Sequence, residues 1–513
     1  MKGVRIRQLT VVALAATVFL LPTLTYGLGF DHGFMQYVGR GMLRGLWPYV
    51  DTFDTSFPAV YLLHMMVIAI GGESVLALRV ADLLIQIVTA LLLYVMGHRI
   101  WGARAGFFAA VLYSIAYTAG TYYHTAQRDG YLVPFLLASM YAMWLYLNRV
   151  GDDTPTSGTD SRDTRSRRTP LVWSALAAGV GCLFRPTYAL LVAIGAVCVV
   201  LRRRRTNDLV DAIIFAGVAA LPMLAFFTVY AVTGHAHAIS DLLTFASKVY
   251  VELERQTSST VLLGFWAYTP IVIWLGVVLA IFHGFPGHRR EAITLLVVFL
   301  GCVLIRLWES KAWRYQYWPP LAVLALSAGI GWSWLTRNRV TFALVTVLVL
   351  GLELGRSGLA RYTRWHAMPE VADSPDQEAM AEYLSTHMQA GDRIQMWGPE
   401  TIVLFASGHR SATRFIDTNM FFCPDPKNFH HLLLFTDCPN WNKPIQTAFL
   451  RELVDSLTTH PPAYIAAHYA DGSMTIDTTY CLAPDLPAMR DLIDRRYQRA
   501  ASFGPWSVFK LSQ

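Results

Sequence analysis

The sequence is poor in charged residues and in cysteine for its length. Only 15% of its 513 residues are charged, whereas soluble globular proteins carry roughly 25%. Hydrophobic residues reach 54%, which argues against a wholly soluble enzyme and against a disordered chain. Six cysteines are too few for a disulfide-stabilised scaffold of this length.

Three further patterns are missing. The C-terminal part has no Gly-rich phosphate-binding loop, so we expect no nucleotide there. No cluster of His, Cys and Asp has metal-ligand spacing. No internal repeat relates the apolar segments, and because such repeats are common in secondary transporters, this disfavours transport.

The charge that is present divides the chain into two parts. Residues 356–513 carry 14 Lys and Arg against 17 Asp and Glu, a net charge of −3. Because the whole chain has a net charge of +7, the rest of the chain carries +10. We therefore predict a basic, apolar domain over 1–356 and a mildly acidic domain over 357–513.

The basic part is rich in long apolar runs. A membrane helix needs roughly 20 mostly apolar residues, and about eleven segments approach that length, with Arg185-Pro186 separating two of them. We predict a polytopic α-helical membrane protein. The candidate spans are 9–29, 75–97, 105–122, 130–148, 171–185, 186–201, 209–233, 260–282, 292–308, 316–335 and 340–356.

The distribution of basic residues orients these spans. With the N-terminus in the cytoplasm, the inside loops hold 18 Lys and Arg and the outside connections hold about 10. The Arg202–Arg205 run then marks an inner span end, and no nucleic-acid partner is expected. An odd number of spans places 357–513 outside the cytoplasmic membrane. The first segment favours an uncleaved anchor, and a signal peptide is the alternative.

The outside regions combine a long first loop, two short connections and the C-terminal domain. Residues 30–74 form the loop, and its apolar part at 59–70 is too short to span, so we expect it at the interface. Residues 234–258 are placed to act as a flap. Alternating helix and strand patterns after Ser374 predict an α/β domain with a partly parallel sheet.

Two carboxylates lie at the outer boundary of the spans. Asp31 follows the first span and Asp129 precedes the fourth, so helix packing can bring them together. One carboxylate can take a proton from an attacking hydroxyl, and the other can orient the acceptor or hold a cation. A lipid phosphate leaving group needs cationic donors. The same face carries Arg128, Arg185, Lys311 and Arg314.

Each of these residues also has a structural alternative. Asp31 is suited to cap the helix that follows it, and Asp129 can pair with Arg128. Lys311 and Arg314 are equally suited to anchor a span end. In the first loop, Asp51 and Asp54 lie in a turn-like stretch where a turn role competes with substrate contact. Arg79 and Asp82, three residues apart, favour an internal ion pair.

The order of these motifs resembles the GT-C superfamily of membrane glycosyltransferases, and most closely the protein O-mannosyltransferase and lipid A aminoarabinose transferase branch. Each motif is short, but their order is that of the family and the resemblance covers most of the chain. The motifs are the stretch at 31–34 that begins with Asp31, the loop at 45–58, the acidic turn at 127–131, the Gly-rich span at 179–187 and the basic aromatic stretch at 314–322.

The resemblance implies roles for individual residues. Asp31 would be the catalytic carboxylate and Asp129 would support it. His32 stands where many relatives carry Glu. A requirement for a divalent cation is therefore open, and the resemblance establishes no cofactor. The residues expected to contact substrate are His32, Asp51, Asp54, Arg128, Arg185, Lys311, Arg314 and Tyr315.

The function implied is sugar transfer from a polyprenyl-phosphate-linked donor to a lipid, glycan or protein acceptor on the outer face of the membrane. Such an enzyme would be an inverting hexosyl- or pentosyltransferase. A transporter or flippase of lipid-linked glycans is the main alternative. A membrane anchor for a sugar-binding outer domain is a third, which the elaborate first loop disfavours.

Overall fold

The fold is taken from a computed structural model of the chain. It describes residues 5–149, 161–201, 208–252, 255–336, 338–353, 375–398, 401–418, 423–424, 444–468, 480–481, 486–504 and 506–512. The predicted domain boundary at 356/357 and the Arg202–Arg205 run lie outside these residues.

The first two thirds of the chain form a bundle of helices. Short 3-10 or π turns at Leu21–Thr25, Pro186–Tyr188, Ala246–Tyr250, Ala280–Gly284 and Arg314–Tyr317 join several of them. The helices are α1 (Ile6–Leu20), α2 (Phe30–Leu43), α3 (Pro58–Gly71), α4 (Val75–Trp101), α5 (Ala103–Thr118), α6 (Thr121–His124), α7 (Arg128–Arg149), α8 (Ser161–Phe184), α9 (Ala189–Leu201), α10 (Asp208–Val232), α11 (Ala236–Phe245), α12 (Ser258–Tyr268), α13 (Ile271–Leu279), α14 (Arg289–Glu309), α15 (Trp318–Leu335) and α16 (Arg339–Glu353).

Over the described residues, every predicted span overlaps a helix or a pair of helices. Among the described residues, five helices are long and apolar enough to cross a membrane, or six if one bent pair counts as a span. The total of eleven spans stays a prediction. The five are Ile6–Thr25, Val75–Trp101, Arg128–Asn148, Asp208–Val232 and Arg289–Glu309.

The predicted span at 260–282 is wrong in shape. The segment is two helices, α12 and α13, bent by 91° at the break between them. Pro270 is the residue that precedes α13, and its ring disfavours the α conformation of Thr269. A helix therefore ends at Tyr268 and a new one begins in another direction.

The chain between α1 and α4 holds the predicted interfacial segment. This part of the chain forms α2 and α3, and the predicted interfacial segment is α3. The two helices pack on each other at Gly39, where a Cβ would lie 2.8 Å from the Met65 nitrogen. One side of α3 stays exposed through Leu62, Met66 and Ile70, spaced four residues apart. This apolar stripe fits a helix lying at a membrane surface.

Residues 375–511, here called the C-terminal region, form a mixed sheet with helices packed on it. The sheet order is β2-β1-β4-β7-β6, with β1 parallel to β2 and β4, and the other pairs antiparallel. The partly parallel sheet was predicted. The elements are α17 (Pro375–His387), β1 (Arg393–Trp397), α18 (Thr401–Ala406), β2 (Arg410–Ser411), β3 (Cys423–Pro424), α19 (Pro444–Thr459), β4 (Tyr464–His468), β5 (Tyr480–Cys481), α20 (Leu486–Arg496), β6 (Tyr497–Phe503) and β7 (Trp506–Leu511).

The sequence also predicts a strand over 411–415, but the observed strand is much shorter. Only Arg410 and Ser411 pair with β1, and the next residues turn away from the sheet. Arg414 and Phe415 instead face the first loop, since the Arg414 carbonyl accepts from the Phe53 amide at 2.7 Å. The hydrophobic pattern that suggested a strand thus serves a contact between the two parts of the chain.

Candidate active site

Asp31 lies in the first turn of α2, at the end of the bundle that faces the C-terminal region. The amide Nε2 of Gln127 donates to its Oδ2 at 3.0 Å, and the same amide donates to the Tyr123 carbonyl at 2.9 Å. The carboxylate is only half-buried, and a negative charge is favourable at a helix N-terminus. Asp31 is thus held in place while its side chain stays partly accessible. Gln127, part of the predicted motif, is its hydrogen-bond partner.

His32 ties α2 to the turn that precedes α7. Its Nδ1 accepts from the Gly29 amide at 2.8 Å and its Nε2 donates to the Thr125 carbonyl at 2.7 Å. Burial, followed by the charge of Arg79, holds the pKa of His32 well below its ordinary value. The ring is neutral and both nitrogens have main-chain partners. Contact of His32 with substrate stays a prediction, while its positioning role is visible.

Arg79 also links the residues before α2 to the turn before α7. It donates to the Tyr26 carbonyl at 3.1 Å and to the Thr125 hydroxyl at 3.0 Å. Asp82, its expected partner, accepts instead from the Tyr117 hydroxyl at 2.7 Å. Instead of the predicted direct ion pair, Arg79 donates to backbone carbonyls and Asp82 accepts from the side chains of Tyr117 and Gln86.

Asp129 is fully buried and belongs to a group of four charged side chains. Its Oδ1 lies 2.7 Å from Arg185 Nε and 3.6 Å from Arg306 Nη1. Glu309 completes the group, 2.8 Å from Arg306 Nη1 and 3.3 Å from Arg185 Nη1. Asp129, Arg185, Arg306 and Glu309, here called the buried charge cluster, hold two positive and two negative charges. Each arginine lies between two carboxylates.

Arg306 and Glu309 were absent from the predicted site residues. They lie three positions apart on the last turn of α14, and an acid and a base on an otherwise apolar span indicate function. Glu309 also accepts from the Thr187 hydroxyl at 2.5 Å. The pair of Arg306 and Glu309 on an apolar span could have been recognised in the sequence. Its partners, Asp129 on α7 and Arg185 after α8, could not.

Arg128 and Lys311 meet at Tyr250, the last residue of the π turn after α11. Arg128 donates to the Tyr250 hydroxyl at 3.1 Å and to the Ser56 hydroxyl at 2.8 Å. Lys311 donates to the Tyr250 carbonyl at 3.0 Å and lies over its ring. The segment predicted as a flap therefore contributes Tyr250 to the site. π turns often occur at functional positions.

Arg314 and Tyr315 border the same space. Arg314 lies over the Tyr268 ring, 5.3 Å from its centroid, and buried Tyr315 is close enough to interact electrostatically with Asp31 and Arg128. Burial, and then the charge of Arg314, lowers the pKa of His124 to about 3. The positive charge here is therefore that of Arg and Lys, because the histidines remain neutral.

Asp51 and Asp54 stabilise turns of the first loop. Asp51 Oδ2 accepts from the Trp47 amide at 2.7 Å. Asp54 Oδ2 accepts from the Ser56 amide at 3.0 Å and from the Tyr61 hydroxyl. Ser56 in turn accepts from Arg128, so Asp54 acts on the site through that serine. A direct substrate contact by either carboxylate stays a prediction.

Comparison with known proteins shows which families and folds the chain is similar to. Residues 55–231 match the family model of dolichyl-phosphate-mannose-protein mannosyltransferases. The match and the structural likenesses described next confirm the GT-C resemblance that the motifs indicated. The membrane location predicted from hydropathy agrees with this family. Among curated proteins, none matches the sequence.

Two solved proteins illustrate the shared fold. ArnT from Cupriavidus metallidurans bound to undecaprenyl phosphate superposes with a TM-score of 0.61 at 13% identity, over 98% of this chain and 97% of that one. The archaeal oligosaccharyltransferase AglB from Archaeoglobus fulgidus, in complex with an inhibitory peptide and a dolichol-phosphate, has a TM-score of 0.55 at 11% identity. That match covers 98% of this chain and 74% of AglB.

Proposed function

We propose that this chain is a glycosyltransferase that uses a polyprenyl-phosphate-linked sugar. The observation that carries the proposal is the placement of the half-buried Asp31 within electrostatic range of Arg128, which meets Lys311 at Tyr250, on a GT-C fold. A carboxylate that can accept a proton next to donors for an anion suits displacement of a phosphate leaving group.

In the proposed reaction Asp31 takes the proton of an acceptor hydroxyl. The hydroxyl oxygen attacks the anomeric carbon of the donor sugar, and the bond between that carbon and the phosphate oxygen breaks. The electron pair of the broken bond stays with the lipid phosphate, whose charge Arg128, Lys311 and Arg314 stabilise. Direct displacement inverts the anomeric configuration. Hexosyl and pentosyl donors both fit this chemistry.

The buried charge cluster has a different role in this proposal. Asp129 is fully buried and shared between Arg185 and Arg306, so it is poorly placed to reach an acceptor. In this proposal Asp129 orients those arginines next to Arg128. The Arg128 Nε lies 3.9 Å from Asp129 Oδ2. Asp31 is therefore the carboxylate that takes the proton in this proposal, and Asp129 has the supporting role that the family resemblance implies.

An apolar cavity among the helices supports a lipid donor. Its volume is about 220 Å³, and it is lined along α7 from Leu132 to Leu147, which corresponds to roughly 22 Å of helix length. Tyr188, on its wall, lies beside Arg306 of the buried charge cluster. A hydrocarbon chain that enters here would leave its polar end close to the proposed site.

Metal dependence is treated as an open part of the proposal. Within the described ranges, no group of three or more His, Cys, Asp and Glu side chains could hold a metal ion. The proposed steps use only side chains of this chain. Adding EDTA and then Mg²⁺ or Mn²⁺ to the transfer assay measures the requirement directly.

The C-terminal region is proposed to lie outside the cytoplasmic membrane, and one cysteine pair reports on this. Cys423 and Cys481 are opposite each other in the antiparallel pair of β3 and β5. Opposite residues in such a pair have Cα atoms about 4.5 to 5.5 Å apart, within the range of a disulfide.

We therefore expect a Cys423–Cys481 disulfide in the native protein. Peptide mapping by mass spectrometry without reduction should recover the linked peptides, and reduction should release them. The isolated Cys182 in the bundle is a control that should carry a free thiol. A fully reduced Cys423 in protein prepared with a thiol-blocking reagent would argue against this pairing and remove its support for the outside location.

The function itself is tested by transfer in membranes that contain the full chain. Labelled sugar supplied on polyprenyl phosphate should move to an acceptor, and the unglycosylated lipid phosphate should accumulate. Mass spectrometry of lipids, glycans and proteins from a deletion strain then identifies the acceptor class. Movement of the donor across vesicles without transfer would favour the flippase. Sugar binding without either activity would favour the membrane anchor.

A further inference from the structure

Helix α2, which carries Asp31, is buried along most of its length although it is not a predicted span. Its residues from His32 to Gly41 are all buried. A loop helix with no exposed face must have partners on every side. One side of α2 meets the bundle, through His32 at the Thr125 carbonyl and Gly39 at α3.

A second, neighbouring face of α2 meets the C-terminal region. Gly33, Tyr37 and Arg40 are spaced four and three residues apart, so they lie on one face of the helix. At Gly33 the two backbones touch, since a Cβ there would lie 2.6 Å from the Ile402 Cα and 2.7 Å from its nitrogen. Any side chain at position 33 would therefore force α2 and α18 apart.

Hydrogen bonds fix this face at both ends. The Thr401 hydroxyl donates to the Phe30 carbonyl at 3.0 Å, one residue before Asp31. The Tyr37 hydroxyl accepts from the Ser411 amide at 2.8 Å.

Arg40 completes the contact at the end of α18. It donates to the Phe405 carbonyl at 2.8 Å and stacks over the Phe405 ring. Helix C-termini leave carbonyl groups without partners, and a cation there is favourable. Since Arg40 also pairs with Glu73 at 2.9 Å, it joins the first loop and the C-terminal region through one side chain.

From this juxtaposition we infer that the C-terminal region is a positioning element for the reaction, and that Gly33 and Thr401 are positioning residues that hold Asp31 in its orientation. The inference rests on the proposed role of Asp31. Displacing a catalytic group by about 1 Å can cost about 100-fold in rate, and a methyl group at position 33 requires a displacement of that order. The C-terminal region thereby takes part in turnover without touching the reacting atoms.

The first test compares Thr401→Val with Thr401→Ser. Valine keeps the shape but removes the hydroxyl that donates to Phe30, whereas serine keeps it. We expect Thr401→Val to lower kcat by about 10-fold with the KM for the donor unchanged, and Thr401→Ser to retain wild-type kcat. Gly33→Ala should lower kcat further. Truncation by Ile402→Ala should not rescue Gly33→Ala, because the obstructing atoms belong to the backbone.

A matched pair of tyrosine variants separates positioning from general stability. Tyr37→Phe removes the buried hydroxyl that accepts from the Ser411 amide at the α2 contact. Tyr497→Phe removes a buried hydroxyl inside the C-terminal region, which donates to the Pro462 carbonyl at 2.9 Å. Only Tyr37→Phe should lower kcat. Equal losses in both variants, or wild-type kcat in Thr401→Val and Gly33→Ala, would overturn the inference.

A readout independent of catalysis keeps this inference separate from the proposed function. Hydrogen exchange of the α2 amides should be faster in Gly33→Ala and Thr401→Val than in the wild type or Thr401→Ser. If the wild type transfers no sugar, the proposed function fails, and the exchange data still report whether the C-terminal region holds α2. Unchanged exchange in Gly33→Ala would contradict the inference even if transfer is observed.

Discussion

Asp31→Asn is expected to lower sugar transfer by about 100- to 10,000-fold while the protein stays folded. Asparagine has the shape of aspartate, and its amide oxygen can still accept from Gln127. What it lacks is the ability to take a proton from the acceptor hydroxyl. The loss should therefore be in kcat, with donor binding largely preserved, measured with labelled donor in membranes or with purified protein.

Asp51→Asn is the matched control for that variant. Asp51 is also an acid of the first loop, but it accepts from the Trp47 amide within a turn. We expect its activity to remain within a few-fold of the wild type. Full activity of a folded Asp31→Asn protein would exclude Asp31 as the base. Comparable losses at both positions would show that the first loop is merely destabilised.

Arg306→Met should destabilise the protein by about 3 to 5 kcal/mol, the usual cost of removing one partner from a buried ion pair. Asp129 and Glu309 would then share Arg185, and the more distant Arg128, 3.9 Å from Asp129, would compensate the second negative charge only in part. The double variant Arg306→Met/Glu309→Met should be more stable than either single variant, because the Arg185–Asp129 pair at 2.7 Å remains. Thermal unfolding of purified protein in detergent measures the order.

Arg495→Met serves as the control for the loss of an arginine. Its partner Asp491 is 3.3 Å away, but both side chains are largely exposed, at 79% and 63%. Surface pairs of this kind contribute little to stability, so we expect an unchanged melting temperature. If the double variant were less stable than Arg306→Met alone, the cluster would not be held together by charge balance.

The sequence was most informative where the bilayer dictates the pattern. Apolar runs located a helix at every predicted span, because backbone polar groups within lipid must be satisfied inside a helix. The break at Thr269-Pro270 was missed since hydropathy continues across it, even though the proline was visible. An average hydropathy over about 20 residues reports how apolar a segment is, but not where the chain changes direction.

The site was predicted only in part for a related reason. Asp31 and Arg128 could be found because they border spans next to recognisable motifs. The partners of Asp129 could not, since Arg185 and Arg306 lie 56 and 177 positions away along the chain. The same limit applies to Gly33, whose neighbour Ile402 belongs to the C-terminal region. These contacts arise from packing, and short motifs carry no information about them.

The buried charge cluster has a consequence for how the protein is made. Asp129 lies in the first turn of α7 and Arg185 follows α8, so this hairpin contains Asp129 and its counter-charge. Arg306 and Glu309 form a second pair within α14 alone. Charged side chains are costly in a bilayer unless they are paired. Each of these two units can therefore be inserted during synthesis with its charge already neutralised, and the four side chains come together only when α14 reaches α7 and α8.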